Sequence, residues 1–313
     1  MGSLIYDIAV VIVSWNAKAF LKQCLASIAA TKESLSVQVI VVDNASSDGS
    51  PEMVASDFPY AILIRNKDNY GFAKANNIGI AECCAHYVCL INSDVKVLPD
   101  CLHSMVAFMD GNVRIGLVGP KILNSDGTVQ PSVKRLPSPR RVFAEAVGMD
   151  RVRCLHPFFQ GTDVEPRNLN AACVVPVLSG CFWMARHKAL SDVGGLDERF
   201  FMYGEDNDWC KRYADAGWQV VYFPEAKAIH YGAGSSSNAA VRFFIELKRS
   251  QMFYLKKHHG SLGRSIGPVL VFVHCGIRAI GWMFLRVMSR SDSGRRTAMV
   301  EQYVKCVRWL FRF

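Results

Sequence analysis

The sequence lacks the cysteine patterns that mark disulfide frameworks and zinc sites. Eleven cysteines occur in 313 residues, but none belongs to a Cys-x-x-Cys pair, and the only neighbours are Cys83 and Cys84. Scattered thiols of this kind are typical of a reducing cytoplasm. The first residues also lack a basic region followed by a small-residue cleavage site, so we expect no signal peptide. These absences exclude a disulfide-stapled secreted scaffold and predict a cytoplasmic protein.

Net charge is absent from most of the chain. The whole sequence carries +9 at pH 7, and residues 256–313 alone contain eleven Lys or Arg against Asp292 and Glu301, so the first 255 residues are neutral. A basic tail on a neutral body indicates an anionic surface as the partner of the tail. It argues against a nucleic-acid groove through the body.

The tail, residues 256–313, contains a long apolar run that is interrupted by polar residues. Residues 266–288 are long enough to suggest a membrane span, but His274, Arg278 and Arg286 recur at helical spacing as one polar stripe. Further on, Phe311 and several valines face away from basic residues at the same spacing. We predict two basic amphipathic helices that lie on an anionic membrane. The alternative is a helical cap or dimer contact that packs on protein.

The body, residues 1–255, alternates apolar strands with amphipathic helices. Strands are predicted at residues 8–13, 37–42, 61–64, 87–91, 219–223 and 227–230, and regular structure is predicted at residues 177–185. Helices are predicted after Asn16 and Ser50, which can cap them, and at residues 73–83, 102–109 and 206–213. This βαβ series predicts an α/β fold with a mostly parallel sheet flanked by helices. The proline-rich and basic residues 131–170 sustain no period, and we predict an irregular acceptor-side loop there.

Three carboxylates follow apolar runs. Asp43 and Asp94 end predicted strands, and Asp206 lies in the first turn of a predicted helix, where the helix dipole helps to keep it ionised. In an open α/β sheet, ligands bind outside the carboxyl ends of the strands. We therefore expect the three acids to line one crevice, which suits a metal ion and a proton acceptor.

Five motifs carry a resemblance to a known family. They are Val-Val-Ile-Val-Ser-Trp-Asn16, Val-Val-Asp43-Asn-Ala-Ser-Ser-Asp-Gly-Ser, Asn69-Tyr-Gly-Phe-Ala-Lys-Ala-Asn-Asn-Ile-Gly79, Leu-Ile-Asn-Ser-Asp94 and Gly204-Glu-Asp206. In this order they resemble glycosyltransferase family 2 over roughly residues 5–255. The resemblance implies a GT-A fold, with nucleotide-sugar binding in residues 1–125 and acceptor binding and catalysis in residues 126–255.

Within that family, the segments around Asn69, Trp183 and Tyr203 resemble bacterial rhamnosyltransferases that use dTDP-L-rhamnose in cell-surface polysaccharide synthesis. The resemblance implies an inverting, metal-dependent transfer to a glycan or to a polyprenol-diphosphate-linked acceptor. It also implies a cytoplasmic enzyme that is peripheral on the inner face of the plasma membrane. UDP-hexose or UDP-galactofuranose is the alternative donor.

The resemblance also implies which residues bind the nucleotide sugar. Asp43 would accept a hydrogen bond from the pyrimidine base, although an acid in such a loop can simply cap the following turn. The other residues implied to line the donor site are Ser14, Trp15, Asn16, Asn44, Asn69, Gly71, Phe72, Asn76, Asn77 and Ser93. Among these, Gly71 permits a close backbone approach, and Phe72 can equally belong to the core.

The implied metal ligands are Asp94 and His230. Asn92-Ser93-Asp94 stands where the family has Asp-x-Asp, so one carboxylate of that motif is replaced by an amide. One carboxylate with diphosphate oxygens and water is an ordinary shell for Mg²⁺ or Mn²⁺. His230 would complete that shell, and the alternative for it is an ordinary packed or surface histidine.

The implied catalytic base is Asp206, with Glu205 orienting the base or the acceptor. Asp208 is a competing base, but it points away from the face of Asp206. Trp183 and Tyr203 could stack on the acceptor sugar, or they could be packing residues.

Two functions of other classes stay open at this point. A nucleotidyltransferase would be expected to carry an early glycine-rich basic loop, which Ser-Trp-Asn-Ala-Lys-Ala-Phe does not supply. A non-catalytic membrane-associated scaffold would keep the tail but lose Asp94 or Asp206, and both acids are present.

Overall fold

The computed structural model describes residues 5–31, 35–152, 161–162, 164, 170–232, 240–288 and 293–312. They fall into two compact units. The first unit spans Met1–Arg135, Val164–Phe201 and Glu205–Ser237, and the second spans Leu136–Asp163, Met202–Gly204 and Asn238–Phe313.

The first unit is built on a mixed sheet. The described strands, in chain order, are β1 Tyr6–Ser14, β2 Val37–Asp43, β3 Ile62–Arg65, β4 Ala85–Asn92, β5 Val95–Val97, β6 Ile115–Leu123, β7 Val133–Lys134, β8 Cys173–Val174, β9 Val177–Leu178, β10 Phe182–Arg186 and β11 Gln219–His230. Their order in the main sheet is β3-β2-β1-β4-β10-β6-β11-β5, with β8 beside β11, while β7 and β9 pair separately. Strands β3, β2, β1 and β4 are parallel neighbours, and β10 joins this half antiparallel.

Helices cover this sheet. The helices of the first unit are α1 Lys18–Ala29, α2 Ser50–Asp57, α3 Gly71–Ala81, α4 Cys101–Asp110, α6 His187–Val193 and α7 Glu205–Asp215. Helix α1 buries Leu21, Cys24, Leu25 and Ile28, which is the face that the i, i+3, i+4, i+7 spacing predicts. The sheet with helices on it confirms the predicted α/β architecture.

The predicted cap of α1 is wrong. Helix α1 begins after Ala17, and Asn16 adopts a left-handed φ of 49°. The Asn16 side chain turns to the loop after β2, where its Oδ1 accepts from the Ser47 amide at 2.8 Å. A side chain that bonds to another loop is not available to the first turn of its own helix.

The described residues of 131–170, which leave out 153–160, 163 and 165–169, are more regular than the sequence interpretation allows. Besides β7, they contain α5, which spans Pro139–Val147 in the second unit. Ser138 caps it by accepting from the Arg141 amide, and Gly148 ends it with a φ of 78°. Its buried residues are Val142, Ala144 and Ala146, of which only Val142 and Ala146 recur at helical spacing. The capping residues were the better signal.

The second unit also contains α8, Ala240–Met288, and α9, Ser293–Leu310. Helix α8 has a kink at Gly260, where φ is 58°. Helix α9 packs on it around a buried cluster of Met252, Val271, Cys275, Ala279, Tyr303 and Cys306. The valines of α9 at 304 and 307 pack against this cluster, so the apolar face of α9 is directed at α8.

The polar stripe of α8 does not all face solvent as expected. The Arg278 guanidinium donates to the carbonyl oxygens of Glu145 and Ala146 on α5, at 2.8 and 3.0 Å. Besides the exposed Arg264 and Arg286, residues 261–288 present many apolar side chains to the outside, namely Leu262, Val269, Phe272, Ile277, Ile280, Met283, Phe284 and Val287. Among the described residues, one helix, Val241–Met288, is long and apolar enough to cross a membrane, and 22% of its apolar window is buried.

Candidate active site

The parallel strands bring their carboxyl ends to one edge of the sheet. Ser14 at the end of β1 lies opposite Asp43 at the end of β2, and Val13 lies opposite Asn92 at the end of β4. Asp94 follows in the turn between β4 and β5, and Ser93 is half-buried in the same turn. Asp43 and Asp94 therefore lie at the same edge of the sheet, on either side of β1.

Asp43 uses one of its two carboxylate oxygens within the protein. Its Oδ2 accepts from the Ser46 amide at 2.9 Å, which is the turn-capping contact expected of a loop acid. Its Oδ1 and the hydroxyl of Ser14 are buried without a hydrogen-bond partner in the described part of the chain. Because an unpaired buried polar atom is costly, these two atoms are suited to a ligand that brings its own polar groups. Trp15 is half-buried beside them in sequence.

A network of amides joins the loop after β2 to the start of α3. Asn44 Nδ2 donates to Asn69 Oδ1 and to the Gly71 carbonyl, at 3.3 and 3.2 Å, and Asn69 Oδ1 also accepts from the Gly71 amide. Gly71 has a φ of 81°, and a Cβ there would lie 2.3 Å from the carbonyl oxygen of Phe201. The close approach expected at Gly71 is thus to the protein's own backbone.

Three other predicted donor-site residues are engaged within the fold. Asn76 is buried and bonds to the Phe72 carbonyl, and Asn77 pairs through both amide atoms with the backbone of Leu196. Phe72 lies edge-on to Trp183, with ring centroids 6.4 Å apart. Their described contacts therefore shape α3 and the loop before α7.

Asp94 and His230 lie side by side. Strands β5 and β11 pair so that His230 is opposite Val95, and His230 Nε2 is 3.2 Å from Asp94 Oδ1. Two neighbouring ligands of an octahedral ion with bonds of about 2.1 Å lie about 3.0 Å apart, so this spacing fits a divalent cation. No third His, Cys, Asp or Glu joins them within the residues that the structure describes, so a cation held here would also need oxygen ligands from a bound molecule or water.

The acids at the start of α7 have different environments. Asp206 is 7% exposed, and its Oδ1 accepts from the amide and side chain of Asn207. Asp208 is fully buried and pairs with Arg212 Nε at 2.9 Å, while Arg212 also donates to the carbonyls of Val193 and Gly195. Asp208 is therefore part of the packing of α7, whereas Asp206 keeps a carboxylate oxygen directed at a single cation.

That cation is Lys134, which the sequence interpretation did not assign to the site. Its Nζ lies 3.4 Å from Asp206 Oδ2. The pairing of Lys134 on β7 with Val177 on β9, and a hydrogen bond from the Leu178 amide to Cys210 Sγ on α7, fix this position. The available signal was a lysine in a short strand after Pro131, which is weak without the pairing.

Glu205 is buried next to Asp206. Burial, and then the negative charge of Asp206, raise the pKa of Glu205 to about 8. Its Oε2 has no partner among the described residues. At neutral pH Glu205 is therefore a protonated acid with a hydrogen bond to give.

The two predicted acceptor aromatics lie in different surroundings. Trp183 is fully buried, donates to the Leu178 carbonyl at 3.2 Å and packs against Trp209, so it has no face open to a sugar. This burial in a central strand favours the alternative that Trp183 is a packing residue. Tyr203 belongs to the second unit, where it packs edge-on to Phe243 with a left-handed φ of 68°.

Comparison with known proteins places this fold among sugar-transferring enzymes. Residues 9–194 match the sequence profile described as Glycosyl transferase family 2. The N-acetylglucosaminyl-diphospho-decaprenol L-rhamnosyltransferase of Mycobacterium tuberculosis is 28% identical over 93% of this chain and 97% of its own. The rhamnosyltransferase WbbL of Escherichia coli is 25% identical over 71% of this chain and 93% of its own.

A solved structure shares the fold. The mannosyltransferase PcManGT from Pyrobaculum calidifontis, in complex with GDP-Man and Mn²⁺, superposes with a TM-score of 0.57. It is 15% identical and covers 97% of this chain and 87% of its own. The chain belongs to glycosyltransferase family 2 and is a glycosyltransferase of the GT-A fold.

Proposed function

We propose that the protein moves L-rhamnose from dTDP-L-rhamnose to a hydroxyl of a glycan, or of a glycan on a polyprenol diphosphate, with inversion. The observation that carries this proposal is the setting of Asp206: a buried carboxylate in the first turn of α7, with one oxygen held by Asn207 and the other facing Lys134. The names of the two rhamnosyltransferase relatives support the sugar, and the decaprenol in one of them supports the acceptor.

Asp206 would act as the general base. In one displacement, the acceptor oxygen bonds to the anomeric carbon as the bond from that carbon to the diphosphate breaks. The acceptor proton passes to Asp206, and the nucleoside diphosphate leaves. Glu205, protonated at neutral pH, would donate a hydrogen bond to the acceptor or to the base.

The donor would occupy the edge formed by β1, β2 and β4. Asp43 Oδ1, which has no partner in the described residues, would accept from N3–H of thymine, next to the Ser14 hydroxyl. Asp94 and His230 would hold Mg²⁺ or Mn²⁺, and a cation there neutralises charge on a leaving diphosphate. The Mn²⁺ complex of the mannosyltransferase of the same fold supports this use of the site.

The second unit would hold the enzyme at the inner face of the plasma membrane. Residues 261–288 of α8 carry apolar side chains on their exposed surface, among them Phe272, Ile280 and Phe284, while Arg278 bonds inward to α5. An apolar outer face suits lipid, and the basic residues of the tail suit anionic headgroups. Together they support peripheral attachment, which would bring the site to a lipid-linked acceptor.

The test is a donor panel of dTDP-L-rhamnose, UDP-galactofuranose, UDP-hexoses and GDP-mannose, with and without Mn²⁺. Thermal stabilisation and transfer are expected with dTDP-L-rhamnose; a preference for UDP-galactofuranose would instead support the alternative donor. Asp206→Asn is expected to lower kcat by about 10²- to 10⁴-fold and to leave donor stabilisation in place.

The matched control is Asp215→Asn, which removes an exposed carboxylate at the other end of α7, paired with Lys211. It should leave transfer unchanged. The proposed function is contradicted if no sugar nucleotide stabilises the protein against heat, or if Asp206→Asn transfers sugar as fast as the wild type. Nucleotidyltransferase and scaffold functions do not fit the family to which the chain belongs.

A further inference from the structure

A chain of hydrogen bonds runs from the turn after β6 to His230. Thr128 Oγ1 contacts Asp126 Oδ1 at 2.6 Å, Asn124 Nδ2 contacts Thr128 Oγ1 at 2.9 Å, and Gln130 Nε2 contacts Asn124 Oδ1 at 3.0 Å. This series of hydrogen bonds ends at Gln130 Oε1, which lies 2.8 Å from His230 Nδ1. None of the residues 124–130 belongs to the predicted site.

Each link of this chain has a fixed direction. Hydrogen bonds from Thr128 lower the pKa of Asp126, so the Asp126 carboxylate is ionised at neutral pH and can only accept. The Thr128 hydroxyl therefore donates its single hydrogen to Asp126, and its oxygen accepts a hydrogen bond from the side-chain amide of Asn124. Asn124 Oδ1 is then left to accept from Gln130 Nε2, which turns the Gln130 carbonyl oxygen to His230.

The direction of these hydrogen bonds fixes which nitrogen of the His230 imidazole carries hydrogen. An amide oxygen cannot donate, so His230 Nδ1 must carry the proton of its hydrogen bond to Gln130. The other ring nitrogen then presents its lone pair to Asp94 Oδ1, 3.2 Å away. A lone pair next to a carboxylate oxygen is the arrangement that a divalent cation between the two satisfies.

The turn that supports the chain is itself well held. The Asn124 amide donates to the Thr128 carbonyl at 2.8 Å, and the Gly127 amide donates back to the Asn124 carbonyl at 3.0 Å. Gly127 has a φ of 83°, which glycine adopts at little cost. The Gln130 amide then bonds to the Ile122 carbonyl, so Gln130 returns alongside β6, the parallel partner of β11.

We propose that Gln130 is a positioning residue that holds His230 as the Nδ1–H tautomer, so that His230 Nε2 and Asp94 together bind the divalent cation. This inference rests on the proposed function, because it assigns Asp94 and His230 to the cation. Outer partners of metal-binding histidines typically contribute about 10- to 100-fold to metal affinity.

The first measurement concerns the tautomer. Long-range ¹H–¹⁵N spectra of the full-length protein, labelled at histidine and recorded at alkaline pH, report which nitrogen of each neutral ring bears hydrogen. The His230 signals are assigned by their loss in His230→Asn. The expected result is the Nδ1–H form in the wild type and in Gln130→Glu, which keeps an acceptor, and a shift to the Nε2–H form in Gln130→Leu.

The second measurement is Mn²⁺ affinity in the presence of dTDP, from the electron paramagnetic resonance signal of free Mn²⁺. Gln130→Leu is expected to weaken binding about tenfold or more, and Gln130→Glu to restore it. The matched control, Gln23→Leu, changes an exposed glutamine of α1 and should alter neither readout.

The two proposals fail in different ways. If His230→Asn leaves Mn²⁺ affinity unchanged, His230 does not bind the cation, which overturns that part of the proposed function and the role of Gln130 as well. If His230→Asn weakens binding while Gln130→Leu changes neither tautomer nor affinity, the role of Gln130 alone is overturned. A wild-type His230 in the Nε2–H form overturns it as well.

Discussion

At the scale of single residues, the start of α7 shows how burial divides the work among three adjacent acids. Asp208 is neutralised by Arg212 within the fold, Asp206 faces Lys134, and Glu205 forms no ion pair among the described residues, although the Lys134 charge lowers its pKa. A buried carboxyl without a cation of its own is more stable when protonated. The sequence could predict that acids gather here, but not which of them ionises, because that depends on how deeply each carboxyl is buried and on Lys134 of β7.

This environment predicts a pH dependence for the Glu205 carboxyl. Its pKa is raised from 4.5 to about 8, so the folded state binds its proton more tightly than the unfolded state. Stability from this group is therefore complete below about pH 4.5 and declines as pH rises toward 8. Glu205→Gln, which is neutral throughout, should lose less stability over this window than the wild type, measured by urea unfolding between these pH values.

The same carboxyl should shape the alkaline limb of turnover. If protonated Glu205 donates a hydrogen bond, kcat/KM in the wild type falls as pH passes about 8, and Glu205→Gln flattens this limb. Because the Lys134 charge lowers the pKa of Glu205, Lys134→Met should move the limb to higher pH. Lys211→Met, which removes the exposed cation paired with Asp215, is the control and should leave it in place. An unchanged limb in Glu205→Gln would refute the role of the neutral acid.

At the scale of elements, the first turn of α3 depends on one glycine. Gly71 combines a left-handed φ of 81° with the 2.3 Å approach of a built Cβ to the Phe201 carbonyl oxygen. Gly71→Ala should therefore suffer both backbone strain and a clash with backbone that cannot move aside. We expect a loss of about 2–4 kcal/mol in the free energy of unfolding.

A second glycine separates these two causes. Gly217 has nearly the same φ, 84°, but a Cβ there meets nothing within 4 Å. Gly217→Ala should lose only about 1–2 kcal/mol, the cost of the left-handed conformation. Equal losses in the two variants, by urea unfolding, would show that the contact with Phe201 adds nothing.

The elements also show which patterns a sequence reveals. The apolar period of α1 is strong and predicts its buried face, and strand ends at Asp43 and Asn92 follow from runs of apolar residues. Helix α5 escapes such analysis because, of its three buried residues, only Val142 and Ala146 recur at helical spacing. The direction of the Arg278 side chain cannot be predicted from the sequence either, because a polar stripe has the same spacing whether it faces water or the carbonyls of α5.

At the scale of the whole molecule, charge and apolar surface both concentrate toward the end of the chain. The first 255 residues are neutral, and residues 256–313 carry the whole net charge of +9. Apart from Leu247, the exposed apolar side chains of α8 lie in the same stretch. Attraction to anionic headgroups and insertion into lipid respond differently to salt, so the two contributions can be separated.

Sedimentation with lipid vesicles tests this division. Binding to vesicles that contain phosphatidylglycerol should fall as salt rises from about 0.1 to 1 M, because the screening length shortens from about 10 to 3 Å. Binding to phosphatidylcholine vesicles should be weaker and nearly independent of salt, since only apolar insertion contributes. Equal binding to both vesicles at low salt would contradict an electrostatic role of the tail.

The apolar contribution is tested by charge placed on the outer face of α8. Ile280 is 69% exposed there, and Ile280→Glu should weaken binding to both kinds of vesicle at every salt concentration. Val113 is 73% exposed in the first unit, and Val113→Glu is the matched control that should bind as the wild type does. If Ile280→Glu leaves vesicle binding intact but converts a dimer to a monomer in light scattering, the apolar face is a contact between two copies of the chain. In that case only the basic residues would attach the protein to a membrane. Because phosphatidylcholine has no net charge, the wild type should then not bind phosphatidylcholine vesicles.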